Sequence, residues 1–263
     1  MSGLDWLRCP HCALPLARSD QALRCPTGHS FDIARQGYVN LLGRAAPRNA
    51  DTPSMLEARA RFLGAGHYAP LADAVAAQLS GATRIVEVGA GTGYYLARAL
   101  DSNPVSEGLA TDVSASAARR AARAHPRASS IVADTWAGLP LRDGAVDALL
   151  CVFAPRNPAE FARVLAPGGR LVVAVPTSEH LAELRSRYGL LGVADDKAEA
   201  VLASLPGWSL ERLDSLVRPL RLTAGEVSDV IAMGPNAFHG TPTDTVPESA
   251  TLAVSILTMS RPS

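Results

Sequence analysis

The chain has 263 residues, 48% hydrophobic and 19% charged, which suits one full α/β domain plus a small module and excludes extensive disorder. Its 25 basic and 25 acidic groups cancel, so no global basic field marks a nucleic-acid partner. No apolar run approaches the roughly 18 residues of a membrane span, and MSGLDWLRCPHC lacks the apolar core of a secretory signal, so a cytoplasmic protein with no membrane partner is expected.

Charge is unevenly spread. Residues 1–50 hold six Arg and three acids (+3), leaving 19 basic and 22 acidic groups (−3) for residues 51–263. All the basic residues but Lys197 are Arg, and Ala is abundant. GC-rich coding produces that bias, so Arg content by itself is no sign of RNA binding.

The chain divides into three units, 1–42, 43–80 and 81–263. The first contains Cys9, Cys12, Cys25 and His29 in the pattern C-x2-C-x12-C-x3-H. Two short-spaced knuckles of this kind deliver the four soft or borderline donors that tetrahedral Zn2+ requires. Four protein ligands close the site, making it structural, and a segment this small draws its folding energy from the metal. His11, between the first two Cys, is badly aimed as a rival ligand, and Cys151 falls in an apolar strand as a core thiol. GRAAPRNADTP (43–53) reads as an exposed linker. SMLEARARFL (54–63) is an amphipathic helix, with Ser54 and Glu57 as a capping box and Arg59 and Arg61 off its apolar face; a second helix lies near 70–79.

From residue 84 strands alternate with helices: strands at 84–88, 107–111, 130–133, 146–153 and 170–175, and helices near 94–100, 114–124, 157–165 and 178–187. This order implies a parallel sheet covered on both faces. LVRPLRLT and TLAVSILTMS then read as strands flanking a helix near 223–233, which would insert an antiparallel strand.

RIVEVGAGTGYY (84–95) carries the ligand signal. A strand ends at Glu87-Val88, and Gly89, Gly91 and Gly93 permit a tight turn that a ligand can approach closely. Glu87, Asp112 and Asp134 stand at the ends of successive strands, facing in turn an amino group, ribose hydroxyls and the adenine region. Such an acidic pocket suits a cationic sulfonium and repels the phosphates of a dinucleotide, the main competitor for a G-x-G-x-G turn. Together with LPLRDGAVDALLCVFAP and VLAPGGRLVVAVP, the stretch 84–175 resembles the class I (Rossmann-like) S-adenosylmethionine methyltransferases, which implies a mixed seven-stranded sheet and S-adenosyl-L-methionine as cofactor.

A narrower resemblance covers Cys9 to about His239. The zinc spacing followed by HSFDIARQGYVNLL (29–42), SMLEARARFLGAGHYAPL (54–71) and VGAGTGYY is similar to the 23S ribosomal RNA guanine-N1 methyltransferases, some of which give resistance to tylosin-type macrolide antibiotics. The resemblance implies methylation of N1 of a guanosine in hairpin 35 of 23S rRNA, with 1–42 gripping the RNA and 81–263 as the methyltransferase domain. The Arg and Ala bias, pointing to a GC-rich source, favours the loop guanosine (the resistance type) over the stem-side one, and a homodimer stays open. The resemblance adds Tyr68 and His180 to the cofactor contacts Glu87, Gly89, Gly91, Thr92, Gly93, Tyr94, Asp112 and Asp134. Arg44, Asn236 and His239 are the candidate substrate contacts.

Guanine N1 carries a proton at neutral pH, and its loss moves charge towards O6, so the chemistry needs an acceptor near N1 and a donor near O6. After the fourth strand, where amino-directed methyltransferases carry Asn-Pro-Pro-aromatic, this chain has Phe153-Ala-Pro-Arg156-Asn157 and no carboxylate. Arg156 is the candidate for O6 and His67 for the proton. Two other readings stay open: a small-molecule methyltransferase with a structural zinc module, and an RNA-binding protein with a vestigial cofactor fold.

Overall fold

The computed structural model describes residues 3–194, 197–240, 242 and 244–261. The first strands are short: β1 (Ala17–Ser19), β2 (Ala22–Arg24) and β3 (Ser30–Asp32) form a three-stranded antiparallel sheet. Then come β4 (Tyr38–Asn40), α1 (Pro53–Gly64), α2 (Ala69–Ala77), β5 (Arg84–Val88), α3 (Tyr94–Ser102), β6 (Glu107–Asp112), α4 (Ala115–Ala121), β7 (Ala128–Val132), β8 (Val146–Val152), α5 (Pro158–Val164) and β9 (Leu165–Pro176). The last elements are α6 (Ala182–Tyr188), α7 (Lys197–Ala203), β10 (Ser209–Leu222), α8 (Ala224–Ala232) and β11 (Glu248–Ser260), with a 3-10 turn at Pro235–His239.

The main sheet runs β10-β11-β9-β8-β5-β6-β7-β4, parallel except for β11, which is antiparallel to both β9 and β10. It has eight strands, not the expected seven. The extra one is β4, from the cysteine-bearing segment, which pairs in parallel with β7 (Tyr38 opposite Ser130). Too short to show a periodicity, β4 is held by its partner. Helix α7 also went unread in the sequence, and β10 begins well before LVRPLRLT.

Helix α1 starts differently from expectation. Its N-cap is Thr52, whose hydroxyl accepts from Met55 N at 3.3 Å, and Pro53 takes the first helical position, where a missing N–H costs nothing. The Ser54–Glu57 box does not form; a complete capping box occurs instead at α8, between Thr223 and Glu226.

The cysteine-bearing segment is docked on the sheet. Trp6, Leu7, Leu16 and Leu23 are buried in one core with Val86, Leu109, Ile131 and Leu141. Backbone bonds reinforce the contact: Arg8 N to Pro140 O (3.0 Å), Arg142 N to Trp6 O (2.8 Å) and Leu41 N to Val132 O (2.9 Å). Its stability therefore comes from the sheet as well as from metal. Among the described residues no helix is long and apolar enough to cross a membrane.

Candidate functional site

Cys9, Cys12, Cys25 and His29 converge, their ligand atoms all within 4.8 Å of one another. Cys12 Sγ and Cys25 Sγ are 3.6 Å apart and His29 Nδ1 is 3.3 Å from Cys25 Sγ, close to the tetrahedral edges that ligand bonds of about 2.0–2.3 Å to zinc would give. Thr27, which the spacing argument did not single out, donates to Cys12 Sγ (3.2 Å) and holds that thiol below its usual range. Burial pushes Cys25 up, but hydrogen bonds with Thr27 and His29 overcome it and bring the thiol down to about 6. Thiolates are what a metal ligand set needs, so the residues present fit Zn2+. His11 is outside the set, stacked on Phe31. Cys151 is fully buried, which pushes it up to about 12, as expected of a core thiol.

At the carboxyl ends of the central strands, β5 turns through the glycines into α3. Gly89 has φ +65°, and a Cβ there would lie 2.6 Å from that of Ala154, so only glycine lets the β5 and β8 ends close up. Glu87 is 2% exposed and accepts from Leu96 N in the first turn of α3 (3.0 Å). Burial outweighs this bond and pushes Glu87 up to about 8. Asp112 accepts from Gly91 N (2.9 Å) and Ser114 N (2.8 Å), fixing the glycine loop against β6; burial shifts it upward too. Both acids thus brace the turn that presents them. Thr92 and Tyr94 lie on that turn, half-buried. Asp134, after β7, accepts from Trp136 N and is ion-paired with Arg44 of the 43–53 segment.

A second group gathers beyond β8 and β9. Tyr68 is buried, and its hydroxyl is 3.2 Å from His180 Nε2. His180 Nδ1 accepts from Ala253 N (3.3 Å), so Nε2 carries the proton and donates to Tyr68. Burial lowers His180 to about 4, keeping it neutral. Phe153 leans on both rings, at 6.5 and 5.7 Å between centroids. It is exposed and has φ +52°, a strained conformation for a bulky residue. Arg156 bonds back to Ala154 O (3.3 Å), and its buried Nε has no partner among the described residues.

Other candidates bond to partners outside this group, although Phe62 packs against the rings of both His67 and Tyr68. His67 Nε2 is 2.9 Å from Glu226, at the start of α8. Asn236 accepts from Leu191 N (2.9 Å), tying the 3-10 turn to the loop after α6. The side chain of His239 lies outside the described residues. Two residues not singled out from the sequence do join the cofactor loop: Arg59, whose Nη1 lies against Gly91, and its ion-pair partner Asp51.

A zinc-ribbon family model described as RlmA, N-terminal, matches residues 7–44, and a methyltransferase-domain model matches residues 85–169. The 23S rRNA (guanine(748)-N(1))-methyltransferase of Streptomyces fradiae is 51% identical over 90% of this chain and 87% of its own length. A relative from Micromonospora griseorubida is 48% identical over 91% and 89% of the two chains. The chain belongs to the 23S rRNA guanine-N1 methyltransferase family. Its members' donor is S-adenosylmethionine, and the acid-lined glycine turn described above fits that cation. Solved structures bear on the fold alone. The complex containing the Haloferax volcanii Trm112 methyltransferase activator has a chain with TM-score 0.54 at 20% identity, covering 81% of this chain and 99% of its own. The [4+2]-cyclase SpnF gives 0.51 at 22%, covering 73% and 80%. A cyclase among the neighbours shows that this fold by itself does not assign a reaction.

Proposed function

We propose that this protein methylates N1 of a guanosine in the loop of hairpin 35 of 23S rRNA; the Streptomyces fradiae relative, named for guanine 748 N1, supports the target atom. One observation carries the reading: the zinc ribbon docks by backbone hydrogen bonds on the same sheet that carries the cofactor turn, so an RNA gripped by one is held in a fixed relation to the other. Arg44, 60% exposed beside the strand end of Asp134, is the phosphate contact on this side.

The cofactor supplies an electrophilic methyl on a good leaving group. The chain's own residues position the base and manage its proton. Phe153, exposed at the end of β8, offers a face on which an extruded guanine stacks. Arg156, four residues beyond β8, is assigned to the charge developing on O6. His180 is a donor here, neutral and committed through both ring nitrogens, so the proton is assigned to His67: Glu226 orients its Nε2 and leaves Nδ1 as acceptor. Glu87, Asp112, Thr92, Tyr94, Asp134, Tyr68 and His180 hold the donor, and Asn236 and His239 belong to the substrate side. The three units 1–42, 43–80 and 81–263 serve as RNA grip, connection and catalytic domain. We place a homodimer contact on the outer edge of the sheet, where β10 exposes Leu210, Leu213 and Val217.

Transfer of label from methyl-labelled cofactor into protein-free 23S rRNA tests the reading. Wild-type protein labels the RNA, and Arg44→Glu reduces labelling at moderate salt. Labelling of small metabolites with none in rRNA contradicts it.

A further inference from the structure

The cofactor carries three charges, two positive and one negative, yet no cofactor contact considered so far faces the negative one. Its carboxylate needs a cation. Arg59 lies on α1, before the first strand of the methyltransferase-domain match, and reaches the glycine loop. A Cβ placed on Gly91 would sit 2.5 Å from Arg59 Nη1, so the guanidinium rests directly on the loop backbone. Gly91 has φ +55°, a backbone conformation that strains any side chain placed there. Gly91 N is also the donor to Asp112, so the guanidinium lies over the loop that Asp112 braces.

Arg59 is held by groups from two other regions. Nη1 is ion-paired with Asp51 of the segment joining zinc ribbon to core, and Nη2 donates to Met233 O at the end of α8 (2.6 Å). Asp51 O in turn accepts from Ser114 Oγ (2.7 Å), just beyond Asp112. Arg59 and Asp51 are each about one-fifth exposed on their side chains, so the pair is accessible but largely shielded. A carboxylate already occupies the guanidinium, at the edge of a pocket whose ligand brings another.

We propose that Arg59 is the receptor for the methionine carboxylate of the cofactor, and that this carboxylate competes with Asp51 for it. The bidentate fork of a guanidinium matches a carboxylate, and the ligand's amino group then faces Glu87, its opposite in charge. Exchange of one carboxylate for the other conserves charge at Arg59 and frees Asp51, so donor binding loosens the segment leading to the zinc ribbon. The inference rests on S-adenosylmethionine as the donor, but not on the identity of the RNA.

The test is calorimetric titration of the zinc-loaded full-length protein, without RNA, with S-adenosylmethionine and with its decarboxylated analogue, which keeps the sulfonium and amino groups. Wild-type protein should prefer the intact cofactor by about 10–100-fold, the worth of one shielded charge-assisted pair. Arg59→Met should abolish that preference while binding the analogue as wild type does, and Arg59→Lys should keep part of it. Asp51→Asn should tighten the intact cofactor several-fold and leave the analogue unchanged. Equal affinity of the wild type for both compounds overturns the proposal, as does full discrimination in Arg59→Met. If Arg59→Met does not fold, Asp51→Asn decides: an equal effect on both compounds overturns the proposal, and an effect on the intact cofactor alone supports it.

Discussion

The zinc ribbon and the cofactor cleft are two ways of building a site. The ribbon draws its four ligands from 21 residues of continuous chain, Cys9 to His29, and its geometry follows from two knuckles. The cleft draws on the ends of β5, β6 and β7, on α1, on the segment before it, and on Tyr68 and His180, 112 positions apart. A local site is visible as spacing. A distributed one exists only once the sheet has formed, and the groups that cover it come from wherever the chain happens to return.

The comparison breaks most directly at the metal. Chelation, or Cys25→Ser, should abolish RNA methylation while leaving S-adenosylmethionine binding within a few-fold of wild type, because β5 to β9 carry no metal ligand. Loss of cofactor binding in parallel would show that the ribbon and cleft are one cooperative unit. Gly89→Ala comes next. Its Cβ would meet that of Ala154 at 2.6 Å in a left-handed conformation, so a loss of about 2–4 kcal/mol in stability is expected by thermal or urea unfolding. A neutral result would mean that the turn relaxes freely.

Glu87 gives a pH test. Its folded value of about 8 stands above the ordinary 4.5, so the folded state holds the proton more tightly than the unfolded chain. That favourable term is fully present below about 4.5 and is lost as pH rises to about 8, a span on the order of 5 kcal/mol at most. Urea midpoints for wild type should fall over this window relative to Glu87→Gln. Affinity for the cationic donor should run the other way, tightening with pH up to about 8 in wild type and staying flat in Glu87→Gln. The smallest effect is expected at Tyr68→Phe, which removes the acceptor of His180 Nε2–H; a buried donor left unpaired costs about 1–3 kcal/mol. Should stability be unchanged, the Tyr68–His180 bond carries nothing.

Much of the molecule was legible from its sequence for the same reason the ribbon was. Strands β5 to β7 announce themselves as apolar runs with Gly or Asp at or just past their ends, and the structure bonds Asp112 to Gly91 N and Glu87 to Leu96 N on the two sides of the turn. Strand β4 was not legible, because three residues carry no period and their conformation is set by pairing with β7. Arg59 was hidden by its helix: position on α1 shows only that it lies off the apolar face, and the glycine loop it meets is 32 positions away. The N-cap of α1 was misplaced by two residues because Ser54–Glu57 has the form of a capping box, whereas Thr52-Pro53 fixes the helix start through proline's φ.

The central claim is that this fold delivers a methyl group to one ring nitrogen of one RNA base. Primer extension across hairpin 35 of protein-free 23S rRNA, after incubation with purified protein and S-adenosylmethionine, tests it, because a methyl on N1 blocks the pairing edge and stops reverse transcriptase. The account predicts a new stop one nucleotide 3′ of the loop guanosine, absent without cofactor. Uninterrupted extension, with cofactor bound and zinc in place, would contradict it.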